Sequence, residues 1–222
     1  MSHFETLMAR DGHAFQAYLA RPDAAVRGAV VVLQEIFGLT PHILAMADGF
    51  AADGYLAIAP ALFDRVRRGL VLGDDPQDVQ RGLGYRQQID TAKALLDIAA
   101  SVAVARHSGK VAVVGYCWGG TLAWLAASQL SLGAAVCYYG GGIAEHLDKL
   151  PTCPTQLHFG ERDTSIPPAA LERIRTAYPE GERYLYAAGH GFNNDDRPKH
   201  YDAAAAALAR ERTREFLAQH IG

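Results

Sequence analysis

Short β-rich runs alternate with helical patterns along nearly the whole chain, and that alternation narrows the folds open to it. Ala29-Val-Val-Val-Leu33 reads as a buried strand, and a helix begins near Pro41, where the first turn needs no N–H. Tyr55 to Ala59 is the next strand, ended by Pro60. From Tyr85 to Arg106, Ile89, Ala92, Leu95, Leu96 and Ala99 fall at helical spacing, which predicts one helix across that span. Lys110 to Tyr116 predicts a strand, and Trp118 to Gln129 a helix. Ala134 to Tyr139, Thr155 to Gly160 and Arg183 to Tyr186 predict further strands, and Asp202 to His220 an alanine-rich closing helix. Such alternation implies the α/β class, with a mostly parallel central sheet and helices on both faces. With 222 residues, no internal repeat and no linker-like stretch, a single domain over residues 1–222 is expected.

Charge and cysteine usage exclude several kinds of partner. The formal charge is only −3, from 21 basic and 24 acidic residues, and no Lys/Arg-rich run occurs. That gives no electrostatic footprint for nucleic acid or an anionic membrane. No stretch approaches the ~20 apolar residues of a membrane helix, and Met1 to Arg10 lack the pattern of a secretory signal. Three cysteines, Cys117, Cys137 and Cys153, show no metal-like spacing and argue for a reducing cytoplasm rather than a disulfide scaffold. A small-molecule partner is expected, with the protein a monomer or weak homodimer and no metal or organic cofactor required.

The strongest local signal is Gly115-Tyr-Cys-Trp-Gly-Gly120, between a predicted strand and a predicted helix. It has the G-x-S-x-G form of a nucleophile elbow, with Cys117 in place of serine. A sharp strand-to-helix turn strains the central residue, and the glycines leave room where side chains would collide. The new helix directs its N-terminal dipole at the thiol, favouring a thiolate and a developing oxyanion. Cys137 lies inside a predicted strand and Cys153 between Pro151 and Pro154, so both are assigned to structure.

A thiol needs a base and an orienting acid, in the chain order nucleophile, acid, histidine. Gly160-Glu-Arg-Asp-Thr-Ser-Ile-Pro167 offers Asp163, with Glu161 as the competing acid, and the helix start after it favours Asp163. Gly189-His-Gly-Phe192 offers His190, whereas His158 reads as a satisfied core residue of its strand. Both loops follow predicted strands, at the sheet end where open α/β proteins build their sites. Gln34-Glu-Ile-Phe-Gly-Leu39 follows the first core strand. A loop so placed supplies one oxyanion-hole N–H, here that of Ile36, while Trp118 supplies the other. Glu35 would lie near the thiol and disfavour the thiolate, unless it is an ordinary solvated loop acid.

These segments together resemble the dienelactone hydrolase (carboxymethylenebutenolidase) family over nearly the whole chain. The resemblance rests on Gln34-Glu-Ile-Phe-Gly38, Gly115-Tyr-Cys-Trp-Gly-Gly120, Gly160-Glu-Arg-Asp163 and Gly189-His-Gly-Phe192. It implies an α/β-hydrolase fold and a Cys117–His190–Asp163 triad that opens a lactone through a thioester. It also implies that Glu35 holds the thiol in check until substrate displaces it. The segment from Asp75 through Arg81 and Tyr85 resembles the family's binding region for a substrate carboxylate, with Arg81 and Tyr85 at matching positions. A second family arginine, four residues beyond the histidine, is replaced here by Asn194, and Arg197 is not at the matching place. The reaction class is thereby separable from strict dienelactone specificity. A broader carboxylesterase or thioesterase is the alternative enzyme, and a thiol redox or ligand-binding protein on this scaffold the non-catalytic one.

Overall fold

The computed structural model describes residues 1–222, which divide into two compact units, Met1–Val111 with Ile221, and Ala112–His220 with Gly222. The first unit opens with an antiparallel hairpin, β1 (Ser2–Met8) and β2 (Ala14–Ala20), turned at Gly12 with φ 83°. Strands β3 (Gly28–Leu33) and β4 (Tyr55–Pro60) follow, each buried along its full length. They pair in parallel, and β4 pairs antiparallel with β2, giving the order β1-β2-β4-β3.

Three helices belong to this unit, and side-chain caps define where each begins. In α1 (Pro41–Ala52) proline occupies the first turn and the Thr40 hydroxyl accepts from the Ile43 N–H. Asp75 caps α2 (Pro76–Gln87) through the Asp78 N–H, and Asp90 caps α3 (Thr91–Ala105) through the Ala92 N–H. The single helix expected over Tyr85 to Arg106 is therefore two. Asp90 takes an extended conformation and bonds the new helix's backbone, which interrupts the old one although Ile89 keeps its apolar spacing and is buried.

The second unit holds β5 (Val111–Tyr116) from its second residue on, then β6 (Ala134–Tyr138), β7 (Thr155–Gly160) and β8 (Glu182–Tyr186), all parallel and in that order. Tyr116 is in register with Tyr138, Tyr138 with His158, and Gly160 with Tyr186, so loops leaving neighbouring strand ends emerge together. Helix α4 (Trp118–Gln129) is buried from Trp118 to Ala127, as its apolar sequence demands. Helices α5 (Pro168–Ala177) and α6 (Ala203–Ile221) complete the unit, with Asp202 capping α6 through the Ala205 N–H. No helix is long and apolar enough to cross a membrane.

A buried polar network ties α6 to β7 and β8. His158 Nε2 meets Gln156 Oε1 at 2.8 Å, and Nδ1 meets the Tyr186 hydroxyl at 2.7 Å. An amide oxygen only accepts, so Nε2 carries the hydrogen and the tyrosine donates to Nδ1. Tyr138 Oη bonds both Thr213 Oγ1 and the Ala209 carbonyl of α6. Burial drives the His158 pKa down to about 3, with the Arg212 charge adding to the shift. The folded value lies below the unfolded one, so this stabilisation is complete above about pH 6.5 and is lost as pH falls toward 3. The full difference corresponds to on the order of 5 kcal/mol. Urea midpoints should accordingly fall more steeply between pH 7 and pH 4 in the parent than in His158→Gln. Asp97, raised to about 6 by burial against the pull of Arg65, acts in the opposite direction but equally in both proteins. Parallel pH curves would remove His158 from the account.

Candidate active site

Strand β5 ends at Tyr116 and α4 begins at Trp118, leaving Cys117 alone to make the turn at φ 54° and ψ −114°. This is a left-handed region that a cysteine adopts only when its surroundings require it. The glycines explain how the turn fits. A Cβ on Gly115 would lie 1.9 Å from the Gly119 carbonyl oxygen, and one on Gly120 2.5 Å from the Tyr138 oxygen. The Cys117 N–H donates to Tyr138 O at 3.0 Å, while its own carbonyl accepts from Gly120 and Thr121. The thiol thus sits half-buried at a helix N-terminus, on a backbone held from both sides. Trp118 is the first helical residue, so its N–H belongs to the initial turn.

Asp163 and His190 come from the loops after β7 and β8. Gly160 brings these loops together, since a Cβ there would lie 2.5 Å from Ala188 O and 2.8 Å from Gly189 O. Asp163 is buried with a side chain 0% exposed; its Oδ1 accepts from the Ser165 N–H at 2.8 Å and its Oδ2 meets His190 Nδ1 at 2.7 Å. An ionised carboxylate only accepts, so Nδ1 carries the proton and Nε2 faces the sulfur. His190 Nε2 lies 3.1 Å from Cys117 Sγ. Glu161 is exposed, and its backbone N–H is bonded to Tyr186 O. Burial works against charge on His190, yet Cys117 and Asp163 outweigh it and hold the imidazole pKa well above its ordinary value. A histidine so poised beside a thiol is suited to receive that thiol's proton.

Cys137 and Cys153 are buried free thiols, and burial raises the pKa of each. His158 is likewise the satisfied core residue expected of it. No group of three or more His, Cys, Asp or Glu side chains is arranged to hold a metal ion.

The first unit carries the remaining predicted residues. Glu35 and Ile36 follow β3 and are buried, in a loop pinned by Gln34 Oε1 accepting from the Leu62 N–H at 3.0 Å. Helix α2 lies directly against this loop, because a Cβ on Gly82 would be 2.2 Å from Ile36 O. Arg81 and Tyr85 flank that contact on the same helix. Arg81 is 51% exposed in its side chain and pairs with Asp78 at 2.6 Å. Arg67, which sequence reasoning did not single out, donates to Tyr85 Oη at 3.4 Å and leads the causes that lower the phenol pKa. Eighteen residues separate Arg67 from Tyr85, so no local pattern connects them.

An elbow on a parallel sheet, with an acid and a histidine on successive strand-end loops, defines an enzyme of the α/β-hydrolase fold. Residues 15–221 match the dienelactone hydrolase family, and the chain belongs to it. It is a carboxymethylenebutenolidase-like ester hydrolase. The carboxymethylenebutenolidase of Pseudomonas putida is 36% identical over 226 residues, covering 96% of this chain and 94% of that protein. Carboxymethylenebutenolidase 1 of Cupriavidus pinatubonensis is 30% identical, covering 96% of this chain and 94% of that one. The crystal structure of a candidate dienelactone hydrolase from Klebsiella pneumoniae superposes with a TM-score of 0.85 at 30% identity, covering 99% of this chain and 98% of that chain.

Proposed function

We propose that this protein hydrolyses a small lactone or carboxylic ester through a Cys117–His190–Asp163 triad and an acyl-enzyme intermediate, the whole chain working as one catalytic domain. The observation that carries the reading is the unbroken hydrogen-bonded chain from Asp163 to His190 to Cys117, at 2.7 and 3.1 Å. The names of the Pseudomonas and Cupriavidus relatives support the lactone-hydrolysing part of this reading. Cys117 thiolate forms a bond to the carbonyl carbon, and the N–H groups of Trp118 and Ile36 meet the developing oxyanion. As the intermediate collapses, the C–O bond breaks and His190 gives its proton to the leaving oxygen, which stays tethered if the substrate is a lactone. Water then attacks the thioester with His190 as base, the S–C bond breaks, and the acid departs. Asp163 keeps Nδ1 protonated throughout. These steps call for no metal or organic cofactor, and the reading keeps the enzyme a monomer or weak homodimer in a reducing cytoplasm.

Glu35 is proposed as the group that holds the thiol in check, since a nearby carboxylate disfavours the thiolate. Glu35→Gln should then be alkylated by iodoacetamide faster than the parent at neutral pH. Glu35 is buried rather than solvated, so equal rates would leave it a buried loop acid with no hold on the thiol.

Arg81 and Tyr85 are proposed to receive a substrate carboxylate, for which Arg81 would exchange its contact with Asp78. A hydrogen bond to a charged group contributes roughly 1.5–3 kcal/mol, so Arg81→Ala should lower kcat/KM for a carboxylate-bearing lactone about ten- to a hundredfold. Neutral aryl esters should change little. The broader esterase or thioesterase reading is favoured by one feature, the buried Asn194 where the resemblance called for a second arginine. Under that reading Arg81→Ala affects neither substrate, and the parent itself does not prefer the charged lactone.

A further inference from the structure

Only two residues other than glycine adopt a positive φ, Cys117 at 54° and Tyr139 at 37°. The elbow accounts for the first. A buried aromatic residue in the left-handed region is a genuine outlier, held there by what surrounds it. Here β6 stops at Tyr138, and Gly140-Gly-Gly142 must pass beneath the first turn of α4. A Cβ on Gly140 would lie 2.9 Å from the carbonyl carbon of Gly120 and 3.0 Å from the Thr121 nitrogen. The Gly142 N–H is fixed to Thr121 Oγ1 at 3.1 Å. With no room to pass otherwise, the backbone bends at Tyr139.

That bend makes one peptide unit into a bridge. The Tyr138 carbonyl accepts from the Cys117 N–H at 3.0 Å, and the N–H of the same peptide, that of Tyr139, donates to His158 O at 2.7 Å. The first bond holds the nucleophile turn, and the second holds β7, the strand that leads to Asp163. The side chain completes the set. Tyr139 is 0% exposed, and its ring lies 5.1 Å from the His190 imidazole at 64°, and 5.3 Å from Phe192 at 71°. Cys117 and His190 therefore each meet a part of residues 138–139, and the strand leading to Asp163 is bonded to the same peptide.

We propose that Tyr139 is the positioning residue for His190: its edge-on ring fixes the imidazole plane in which Nδ1 faces Asp163 and Nε2 faces Cys117. The proposal rests on the triad reading and adds to it a residue that acts through His190. Without the ring, the imidazole is free to turn out of that plane, and both hydrogen bonds weaken together. The hydroxyl is not needed for this, so the aromatic face alone should suffice.

The test compares Tyr139→Phe with Tyr139→Leu. Both replacements keep a Cβ at φ 37°, so the backbone strain is common to them and the ring is the difference. The readouts are kcat and KM for a neutral aryl ester and the ultraviolet titration of the Cys117 thiolate. Tyr139→Phe should match the parent in both. Tyr139→Leu should lose about three- to tenfold in kcat, the range of an aromatic pair contact, with KM little changed. Its thiolate should titrate at higher pH than the parent's, because a tilted imidazole pairs less well with it. If Tyr139→Leu does not fold, Tyr139→Met fills similar space without an aromatic face and carries the same comparison. Parent-like kcat and titration in the leucine or methionine variant would overturn the proposal, as would equal losses in the phenylalanine and leucine variants. Turnover by Cys117→Ala would instead overturn the triad reading beneath it, so the two failures are separable.

Discussion

Cys117→Ala is expected to abolish ester and lactone turnover while leaving the fold intact. The sulfur is the only atom removed, and the elbow's geometry depends on backbone and glycine contacts that alanine preserves. Loss of the nucleophile from a coupled triad lowers kcat by about 10⁶-fold in a well-studied case, and the residual rate comes from the oxyanion hole and binding alone. Circular dichroism and thermal melting should match the parent to within a few degrees. A folded Cys117→Ala protein that hydrolyses its substrates normally is incompatible with a cysteine nucleophile.

Asp163→Asn should lower kcat by about 10⁴-fold, because the amide can donate to Nδ1 and stabilise the wrong imidazole tautomer. With the proton then on Nε2, the ring cannot accept one from the thiol. The loop should survive, since the asparagine oxygen can still take the Ser165 N–H that Asp163 now binds at 2.8 Å. Glu161→Gln is the matched control on the same loop, with an exposed side chain and little expected effect. If Glu161→Gln were crippled and Asp163→Asn normal, the acid would be misassigned. Combining Asp163→Asn with His190→Ala should add little to the histidine substitution alone, because the two act as a unit.

The elbow is legible in sequence because its glycines are imposed by short backbone contacts among neighbours, such as Gly115 against Gly119. His190 is legible for a related reason, as the flanking glycines and the order after Cys117 and Asp163 leave few other arrangements. Of the strands that carry the triad, β5 is a buried apolar run, while β7 and β8 mix polar residues with the aromatic and branched types that favour strands, and their ends fall within a residue or two of the sequence reading. The first strand escapes that reading. Strand β1 buries only Leu7 of its seven residues, so it has neither an apolar run nor a clear alternation, and pairing with β2 decides its structure. The break between α2 and α3 is hidden because Ile89 keeps the helical period although it lies outside both helices. Arg67 beside Tyr85, and Arg65 bound at once to Asp11 and Asp97, join residues far apart in sequence. Tyr139 is hidden most completely. Its residue type argues against a positive φ, and only the close passage of Gly140 by Gly120 forces one.

The central claim is covalent, and a quenched burst experiment tests it most directly. Parent enzyme mixed with excess chromogenic aryl ester and quenched in acid during turnover should release an initial burst close to one product per chain. Peptide mass analysis should find the acyl group on the fragment containing Cys117, and Cys117→Ala should show neither burst nor adduct. An acyl group on another residue, or sustained hydrolysis with no adduct at all, would contradict the account. So would a thiol that cycles with peroxide yet never acquires an acyl group, the behaviour of a redox protein on the same scaffold.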